Sequence, residues 1–212
     1  MAKENKPLMI FLAGEIKSAE RIKAMIERRE FDFYAADGGY LLANQMKINL
    51  KCILGDFDSA KQPSFSQVLT YPCEKDETDA ELALKHALNE GYSEIWMIAP
   101  FGGRLDHTIA NLGLLDYGQA AKIYLYDGSN LAFLLNEGIH SLENRFRYIS
   151  FFAYQQSALV SLKGFKYELE KYSLELGAPI GISNEPKMNP EVCIHQGKLL
   201  CICIEKETME EL

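Results

Sequence analysis

The stretch Cys52-Ile53-Leu54-Gly55-Asp56-Phe57-Asp58-Ser59 joins a short apolar run to two carboxylates one residue apart. The run predicts a buried strand that ends at Gly55. In α/β proteins, ligands bind just beyond the carboxyl ends of the strands. Asp56 and Asp58 would repel each other there unless a cation lay between them, and an ion that prefers oxygen ligands, such as Mg²⁺, is the natural candidate. An isolated stretch of this kind is more often a polar turn in which Asp56 caps a backbone amide, so the rest of the chain must decide.

Strands and helices alternate on both sides of this stretch, through the first 127 residues. Apolar runs predict strands at 8–13, 31–36, 52–54, 68–71, 94–99 and 121–126. Apolar residues at helical spacing predict helices between them, at 18–28, 40–46, 79–88 and 106–117. Thr78 and Glu81 form a capping-box pattern at the start of the third helix, and Ser18 is a candidate cap for the first. The alternation predicts parallel strands with right-handed crossovers, in an open three-layer α/β sheet.

The pattern changes near residue 130. Short strands are predicted at 132–135, 148–153, 158–162, 167–169, 191–195 and 199–204, with turn signals between them and no long helix. Such spacing is typical of an antiparallel β-sandwich or barrel. We therefore expect an α/β domain over residues 1–127 and an all-β domain over residues 131–212.

The composition is that of an ordinary globular protein, with 212 residues of which 48% are hydrophobic and 25% charged. A net charge of −8 argues against a nucleic-acid partner, because such proteins usually present a basic face. The five cysteines contain no C-x-x-C pair, which argues against a zinc site and indicates reduced thiols in a cytoplasmic protein. The first apolar run is too short for a signal peptide or a membrane span, so no membrane association is expected.

Four polar clusters come at the ends of predicted strands. They are Asp37-Gly38-Gly39, Asp56-Phe57-Asp58-Ser59, Asp76-Glu77-Thr78-Asp79 and Gly102-Gly103-Arg104-Leu105-Asp106-His107. The carboxyl ends of parallel strands lie at one edge of a sheet, so the four clusters can converge on one site. Neither a P-loop nor a G-x-G-x-x-G fingerprint occurs. Phosphate binding would therefore use metal, glycine-rich turns and arginine.

Each cluster has a chemical role available. The glycine pairs would let backbone N–H groups approach a phosphate ahead of a helix N-terminus. Arg104 offers a permanently charged planar fork for phosphate oxygens. Asp56, Asp58 and Asp79 could hold Mg²⁺, and His107 or Asp106 could orient or deprotonate a hydroxyl.

Each cluster also has an ordinary structural interpretation. A glycine pair alone is more often a turn, Asp76 or Thr78 alone a helix cap, and His107 a structural hydrogen-bonding group. Arg104 could form a surface ion pair that contributes little. Four such clusters at strand ends favour a site over four unrelated turns.

Taken in order, these motifs resemble those of thiamine pyrophosphokinase of the bacterial type. Gly181-Ile182-Ser183-Asn184-Glu185 in the all-β half is similar as well, so the resemblance covers nearly the whole chain. The family transfers a diphosphoryl group from ATP to the hydroxyl of thiamine, giving thiamine diphosphate and AMP. The resemblance implies an α/β domain that binds ATP and Mg²⁺, a β-sandwich domain that binds thiamine, and a homodimer.

The resemblance also implies roles for single residues. Asp56, Asp58 and Asp79 would hold Mg²⁺ and the ATP phosphates, while Asp37, Arg104 and Asp106 would complete the catalytic set. The ATP-binding motifs further contain Gly38, Gly39, Ser59, Asp76, Thr78, Gly102, Gly103 and His107. Ser183 and Asn184 would contact thiamine. The proton acceptor stays open between Asp37 and Asp106. Eukaryotic members place a stacking tryptophan after the Ser-Asn pair, where this chain has Glu185-Pro186-Lys187, so that partner is unassigned.

Two other functions remain open. A D-x-D-x-S stretch also occurs in phosphohydrolases that use an aspartyl nucleophile, although there it follows the first strand and here it follows the third. A non-catalytic nucleotide- or thiamine-binding module is the second alternative. A module that only binds would gain little from assembling carboxylates that repel one another.

Overall fold

The computed structural model describes residues 6–55, 68–70, 76–118 and 121–206. Asp56, Asp58 and Ser59 of the opening stretch lie outside these residues. The chain divides into two compact units, Met1–Gly128 and Ser129–Leu212.

In the first unit, strands alternate with helices as the sequence predicts. The elements are β1 (Leu8–Phe11), α1 (Ala19–Arg28), β2 (Asp32–Ala36), α2 (Gly39–Gln45), β3 (Cys52–Gly55), β4 (Val68–Thr70), α3 (Asp79–Asn89), β5 (Glu94–Ile98), α4 (Leu105–Leu114) and β6 (Lys122–Tyr126). The strands pair in parallel in the order β4-β3-β2-β1-β5-β6. The chain thus builds outward from β1 in one direction and then returns to add β5 on its other side.

Central strand β1 is the core of this unit. All four of its residues, Leu8 to Phe11, are fully buried, because it has a neighbouring strand on each side and its side chains are covered on both faces. Parallel strands buried in this way are continuous apolar runs rather than alternating ones. That property made β1 recognisable in the sequence.

In the second unit, two antiparallel sheets form. The elements are β7 (Asn130–Leu135), β8 (Gly138–Ser141), β9 (Tyr148–Ala153), β10 (Ala158–Phe165), β11 (Leu169–Leu174), a 3-10 helix (Pro179–Gly181), β12 (Pro186–Gln196) and β13 (Leu199–Ile204). One sheet has the order β7-β13-β9 and the other β11-β10-β12-β8. Phe151 of β9 and Phe165 of β10 meet edge to face, with ring centroids 5.6 Å apart, so side chains of both sheets share one core. The predicted combination of an α/β unit with an antiparallel β unit is confirmed.

Several local expectations need correction. Ser18 occupies the N-cap position of α1, but its hydroxyl makes no capping bond; it donates to the Glu20 carboxylate at 3.3 Å. The strand expected at 167–169 is β11, which begins at Leu169 instead. Strand β8 was not indicated by the sequence.

The cysteines of the described residues are free, as expected. Cys201 and Cys203 are both fully buried on one face of β13, with their sulfur atoms 3.8 Å apart. Within the described part of the chain, no helix is both long and apolar enough to cross a membrane.

Candidate functional site

A cavity of about 380 Å³ opens in the first unit at the carboxyl ends of the central strands. Its walls come from residues after β1, β2 and β5 and from the first turns of α3 and α4. Strand order reverses between β1 and β5, and such a switch point is where open α/β sheets bind ligands. The fold therefore places a cavity where its topology predicts one.

The cavity gathers residues from three of the four predicted clusters. Asp37, Thr78, Asp79, Gly102, Gly103, Arg104 and His107 all line it. The second cluster lies outside the described residues apart from the strand that leads into it. Gly38, Gly39, Asp76 and Asp106 belong to the same clusters but are not part of the lining.

Asp37 is held at the end of β2 by the neighbouring strand. Its backbone takes a left-handed conformation with φ of +42°, and its N–H donates to Leu54 O at 2.7 Å. A Cβ at Gly55 would lie only 3.1 Å from the Asp37 Cα, so Gly55 allows this close approach. Asp37 is therefore held against Gly55, the last residue of β3. Gly55 directly precedes Asp56 in the chain.

Asp79 lies in the first turn of α3, where the helix dipole favours a negative group. The Thr78 hydroxyl caps this helix by accepting the Glu81 N–H at 3.2 Å, which confirms the cap predicted from the sequence. Thr78 consequently has a structural role as well as a place in the cavity wall.

Arg104 and Asp106 form a two-point ion pair at the start of α4. Arg104 Nε donates to Asp106 Oδ1 at 3.1 Å, and Nη2 donates to Oδ2 at 2.5 Å. The guanidinium holds the pKa of Asp106 at about 2, with help from the His107 N–H, which donates to Oδ1 at 3.0 Å. Asp106 is thus a weak proton acceptor that orients Arg104 and stays out of the cavity wall.

The Gly38–Gly39 turn has a packing role. A Cβ at Gly39 would lie 2.0 Å from Phe11 O, so only glycine lets α2 pack on β1 here. Both glycines were expected to approach phosphate. The structure gives Gly39 a role in helix–strand packing, and the approach of both glycines to phosphate stays a prediction.

The turn between β5 and α4 is strained and held from two sides. Ala99 has φ of +57°, a conformation that costs a non-glycine residue about 1–3 kcal/mol and is concentrated at functional sites. The Asn111 side chain, buried in α4, donates to Pro100 O at 2.8 Å. On the other side, the N–H groups of Gly14 and Glu15 donate to Ala99 O and Phe101 O at 3.1 and 2.8 Å.

Glu15 and Asn111 also line the cavity, and neither was predicted from the sequence. Glu15 had a recognisable signal, since it follows Gly14 at the end of an apolar run, just as the four clusters follow theirs. Asn111 gave none, because a polar residue inside a helix usually faces solvent.

The Ser183–Asn184 pair of the second unit lies against strand β9. Ser183 is exposed, has φ of +56°, and donates its N–H to Ser150 Oγ at 3.0 Å. Asn184 is buried and exchanges backbone bonds with Ile149. Its side-chain amide donates to Tyr167 O at 2.7 Å and its side-chain oxygen accepts the Tyr167 N–H at 3.0 Å. The Asn184 side chain therefore fixes the local backbone, while the neighbouring Ser183 faces solvent.

Comparisons with known proteins give matches over most of the chain. Residues 25–126 match the family model "Thiamin pyrophosphokinase, catalytic domain", and residues 138–200 match "Thiamin pyrophosphokinase, vitamin B1 binding domain". Thiamine pyrophosphokinase of Bacillus subtilis is 35% identical over 143 residues, which cover 62% of this chain and 67% of that protein.

The chain belongs to the thiamin pyrophosphokinase family.

As a member of this family it is a thiamine diphosphotransferase. Thiamin pyrophosphokinase 1 of Caenorhabditis elegans is 26% identical over 171 residues, covering 73% of this chain and 70% of that protein. The fold agrees throughout. A crystal structure of the Bacillus subtilis thiamine pyrophosphokinase superposes with a TM-score of 0.84 at 27% identity, over 95% of this chain and all of that one. A crystal structure of the thiamin pyrophosphokinase of Geobacillus thermodenitrificans superposes with a TM-score of 0.81 at 25% sequence identity, over 95% of this chain and 99% of that one.

Proposed function

We propose that the chain transfers the β,γ-diphosphoryl group of ATP to the hydroxyl of thiamine and releases AMP. The observation that carries the proposal is the cavity at the switch point. It brings the carboxylates of Asp37 and Asp79 together with Arg104 and the first turns of two helices. Helix N-termini and arginine attract phosphates, whereas the carboxylates would repel them without a cation.

The donor set suits Mg²⁺. This ion commonly takes one or two carboxylates, keeps several waters and completes its shell with substrate phosphates. Asp79 supplies a carboxylate at the cavity wall. Among the described residues, no group of three or more acidic, histidine or cysteine side chains could hold a metal by itself. Asp79 would therefore act with Asp56 and Asp58, which follow β3 in the sequence. When bound, Mg²⁺ supplies charge neutralisation for the phosphates.

In the proposed reaction the thiamine hydroxyl oxygen attacks the β-phosphorus in line. The new oxygen–phosphorus bond forms as the bond from the β-phosphorus to the α,β-bridging oxygen breaks, and AMP leaves with that oxygen. Such transfers need positioning and charge stabilisation more than covalent help from the protein. Arg104, fixed by Asp106, would stabilise the charge that develops on the phosphates.

Of the two candidate proton acceptors, Asp37 is the better placed. It lines the cavity, whereas Asp106 does not and is bound to Arg104. A carboxylate whose pKa is held at about 2 has little affinity for the proton of an alcohol. We therefore assign the hydroxyl proton to Asp37.

We further propose that thiamine is selected by the second unit. The vitamin B1 binding model covers the Ser183–Asn184 pair, and Ser183 presents an exposed hydroxyl there. Asn184 would act by fixing this segment. The proposal is completed by a homodimer, as the resemblance implies, in the cytoplasm, as the reduced thiols indicate.

The test is AMP release measured with purified protein, ATP, Mg²⁺ and thiamine. We expect AMP to form only when thiamine is present, with an equal amount of thiamine diphosphate. Phosphate release without thiamine, with a trapped aspartyl-phosphate on Asp56, would favour the alternative of a phosphohydrolase that uses an aspartyl nucleophile. Binding of ATP or thiamine with no AMP under varied metal and pH would favour a binding module.

A further inference from the structure

The β1–α1 loop places a carboxylate, Glu15, directly on the glycine turn of the cavity. Gly102 has φ of +95°, and a Cβ there would lie 2.7 Å from Glu15 Cγ and 2.8 Å from Cδ. The absence of a side chain at Gly102 thus lets the Glu15 side chain lie across the turn. The adjoining backbone bonds, from Gly14 to Ala99 and from Glu15 to Phe101, join the same two segments.

The position of Glu15 raises an electrostatic problem. It lines a cavity that already holds Asp37 and Asp79, and the proposed function brings a polyphosphate there. Lys17 Nζ lies 2.6 Å from Glu15 Oε2 and offsets this charge. Hydrogen bonding to the Lys17 ammonium group lowers the pKa of Glu15, so the carboxyl group is ionised at neutral pH.

This ion pair has little to contribute to folding. The Lys17 and Glu15 side chains are 53% and 56% exposed. Ion pairs at such exposure contribute little to stability, because water screens the two charges and both side chains lose conformational freedom. A role at the cavity accounts better for a carboxylate set against the turn and a cation set against that carboxylate.

We propose that Glu15 and Lys17 form a charge-compensated brace, in which Glu15 positions the Gly102–Gly103 turn and Lys17 cancels the repulsion that Glu15 would exert on bound phosphates. This inference rests on the proposed binding of ATP phosphates in the cavity. Glu15 and Lys17 are positioning residues: they act through the turn and through the local potential.

The brace predicts an unusual order of effects. Lys17→Ala leaves an uncompensated carboxylate beside the phosphates and weakens ATP binding about fivefold at low ionic strength, with less effect at high salt. Adding Glu15→Gln to Lys17→Ala removes that charge and restores binding to within about twofold of the unmodified protein. Glu15→Gln alone keeps the packing on Gly102 and leaves the Lys17 charge uncompensated, so it should bind ATP about fivefold more tightly at low ionic strength. Glu15→Ala also loses the packing and should bind ATP more weakly than Glu15→Gln.

The experiment is calorimetric titration of each variant with ATP and Mg²⁺, with steady-state KM values for ATP and for thiamine. Lys23→Ala is the matched control, because it removes the same charge from an exposed position of α1 outside the cavity wall. The KM for thiamine and the melting temperature should stay constant throughout. A double variant as weak as Lys17→Ala, or a Lys17→Ala variant that binds like Lys23→Ala, overturns the brace.

The same titration separates the two proposals. If the unmodified protein binds ATP and releases AMP with thiamine while all variants bind alike, the brace alone is wrong. If the unmodified protein does not bind ATP, the proposed function fails and takes the brace with it.

Discussion

Two aspartates at opposite ends of strand β2 show how position decides the role of a residue. Asp32 at the amino end is buried among cations, and Asp37 at the carboxyl end lines the cavity. The same side chain therefore serves stability at one end of the strand and is assigned to chemistry at the other.

Asp37→Asn tests the chemical assignment. Asparagine tolerates the left-handed backbone of this position, so the fold should persist while the carboxylate is lost. We expect kcat to fall about 100-fold or more, the usual contribution of a positioned base. Steady-state kinetics measures it, with circular dichroism as the control. An unchanged kcat in a folded variant contradicts the assignment.

Asp106 should titrate according to its partner. Its pKa of about 2 lies below the ordinary 3.8, chiefly because Arg104 binds it. In the unmodified protein the Asp106 carboxyl carbon signal should stay constant between pH 7 and pH 4. In Arg104→Ala, carbon NMR should show protonation beginning near pH 5, since the pKa returns toward its ordinary value. Identical titrations would show that the pair does not persist in solution.

At this scale, the sequence predicted those residues whose position alone brings them to the cavity. Asp37, Asp79 and Arg104 follow strands or begin helices, and parallel strands share an edge. The Gly39 packing against Phe11 could not be foreseen, since it depends on a contact between distant segments. Glu15 is the opposite case, because its position directly after a predicted strand could have marked it as a site residue.

Among the elements, β2 is anchored at its start by a charge cluster around the buried Asp32. Asp32 accepts from Lys51 at 2.5 Å and from the Tyr92 hydroxyl at 2.6 Å, and Lys6 lies 3.4 Å away. These groups join β2 to the segments that precede β1, β3 and β5. The cluster lies at the opposite end of the strand from the cavity.

Asp32→Ala should therefore reduce stability but spare activity. Loss of a buried hydrogen-bond acceptor costs about 1–3 kcal/mol, which urea denaturation would measure. Burial raises the pKa of Asp32, but the hydrogen bonds from Lys51 and Tyr92 and the lysine charges together outweigh it, so the pKa is lowered overall. The contribution of Asp32 to stability is therefore complete above the unfolded pKa near 3.8 and is lost as pH falls through the folded pKa. The difference in the free energy of unfolding between Asp32→Ala and the unmodified protein should therefore become smaller in acid. A variant with normal stability and reduced kcat would refute this division of roles.

Asn184→Ala should act on the segment that we propose binds thiamine. The substitution removes both side-chain hydrogen bonds to the Tyr167 backbone. We therefore expect the free energy of unfolding to fall by about 1–3 kcal/mol and the KM for thiamine to rise about tenfold. The KM for ATP should stay unchanged. Lys187→Ala, at an exposed position nearby, is the control. A rise in both KM values would argue against a role specific to thiamine.

Elements with a strong apolar pattern were predictable, and those made by pairing were not. The bounds of β9 and β13 match the sequence prediction because both strands bury alternate apolar residues. Strand β8 is largely exposed and lacks that alternation. Strand β12 begins at Pro186, in a polar stretch that becomes strand by pairing with Phe165 of β10.

For the molecule as a whole, the order of strands is what the sequence leaves open. Alternating elements predict a parallel sheet but not where the order reverses. Here it reverses between β1 and β5, and the cavity lies there. The convergence of Asp37, Asp79 and Arg104 could therefore be predicted, because parallel strands share an edge. That the β1–α1 loop also lines the cavity could be known only from the order of the strands.

The acidity of the molecule fits a site that binds an anion through local groups. With a net charge of −8, the chain does not attract nucleotides by its overall field. Attraction must come from Arg104, helix N-termini and the proposed metal. We expect EDTA to abolish activity and excess Mg²⁺ to restore it. Full turnover with EDTA present would remove the metal from the proposal.

The most direct test follows the label from [γ-³²P]ATP in the unmodified protein and in Asp79→Asn. For the unmodified protein we predict labelled thiamine diphosphate and an equal amount of unlabelled AMP. In a folded Asp79→Asn variant the rate of transfer should fall about 100-fold or more. Label in thiamine monophosphate alongside ADP, or undiminished transfer in Asp79→Asn, would contradict diphosphoryl transfer at this cavity.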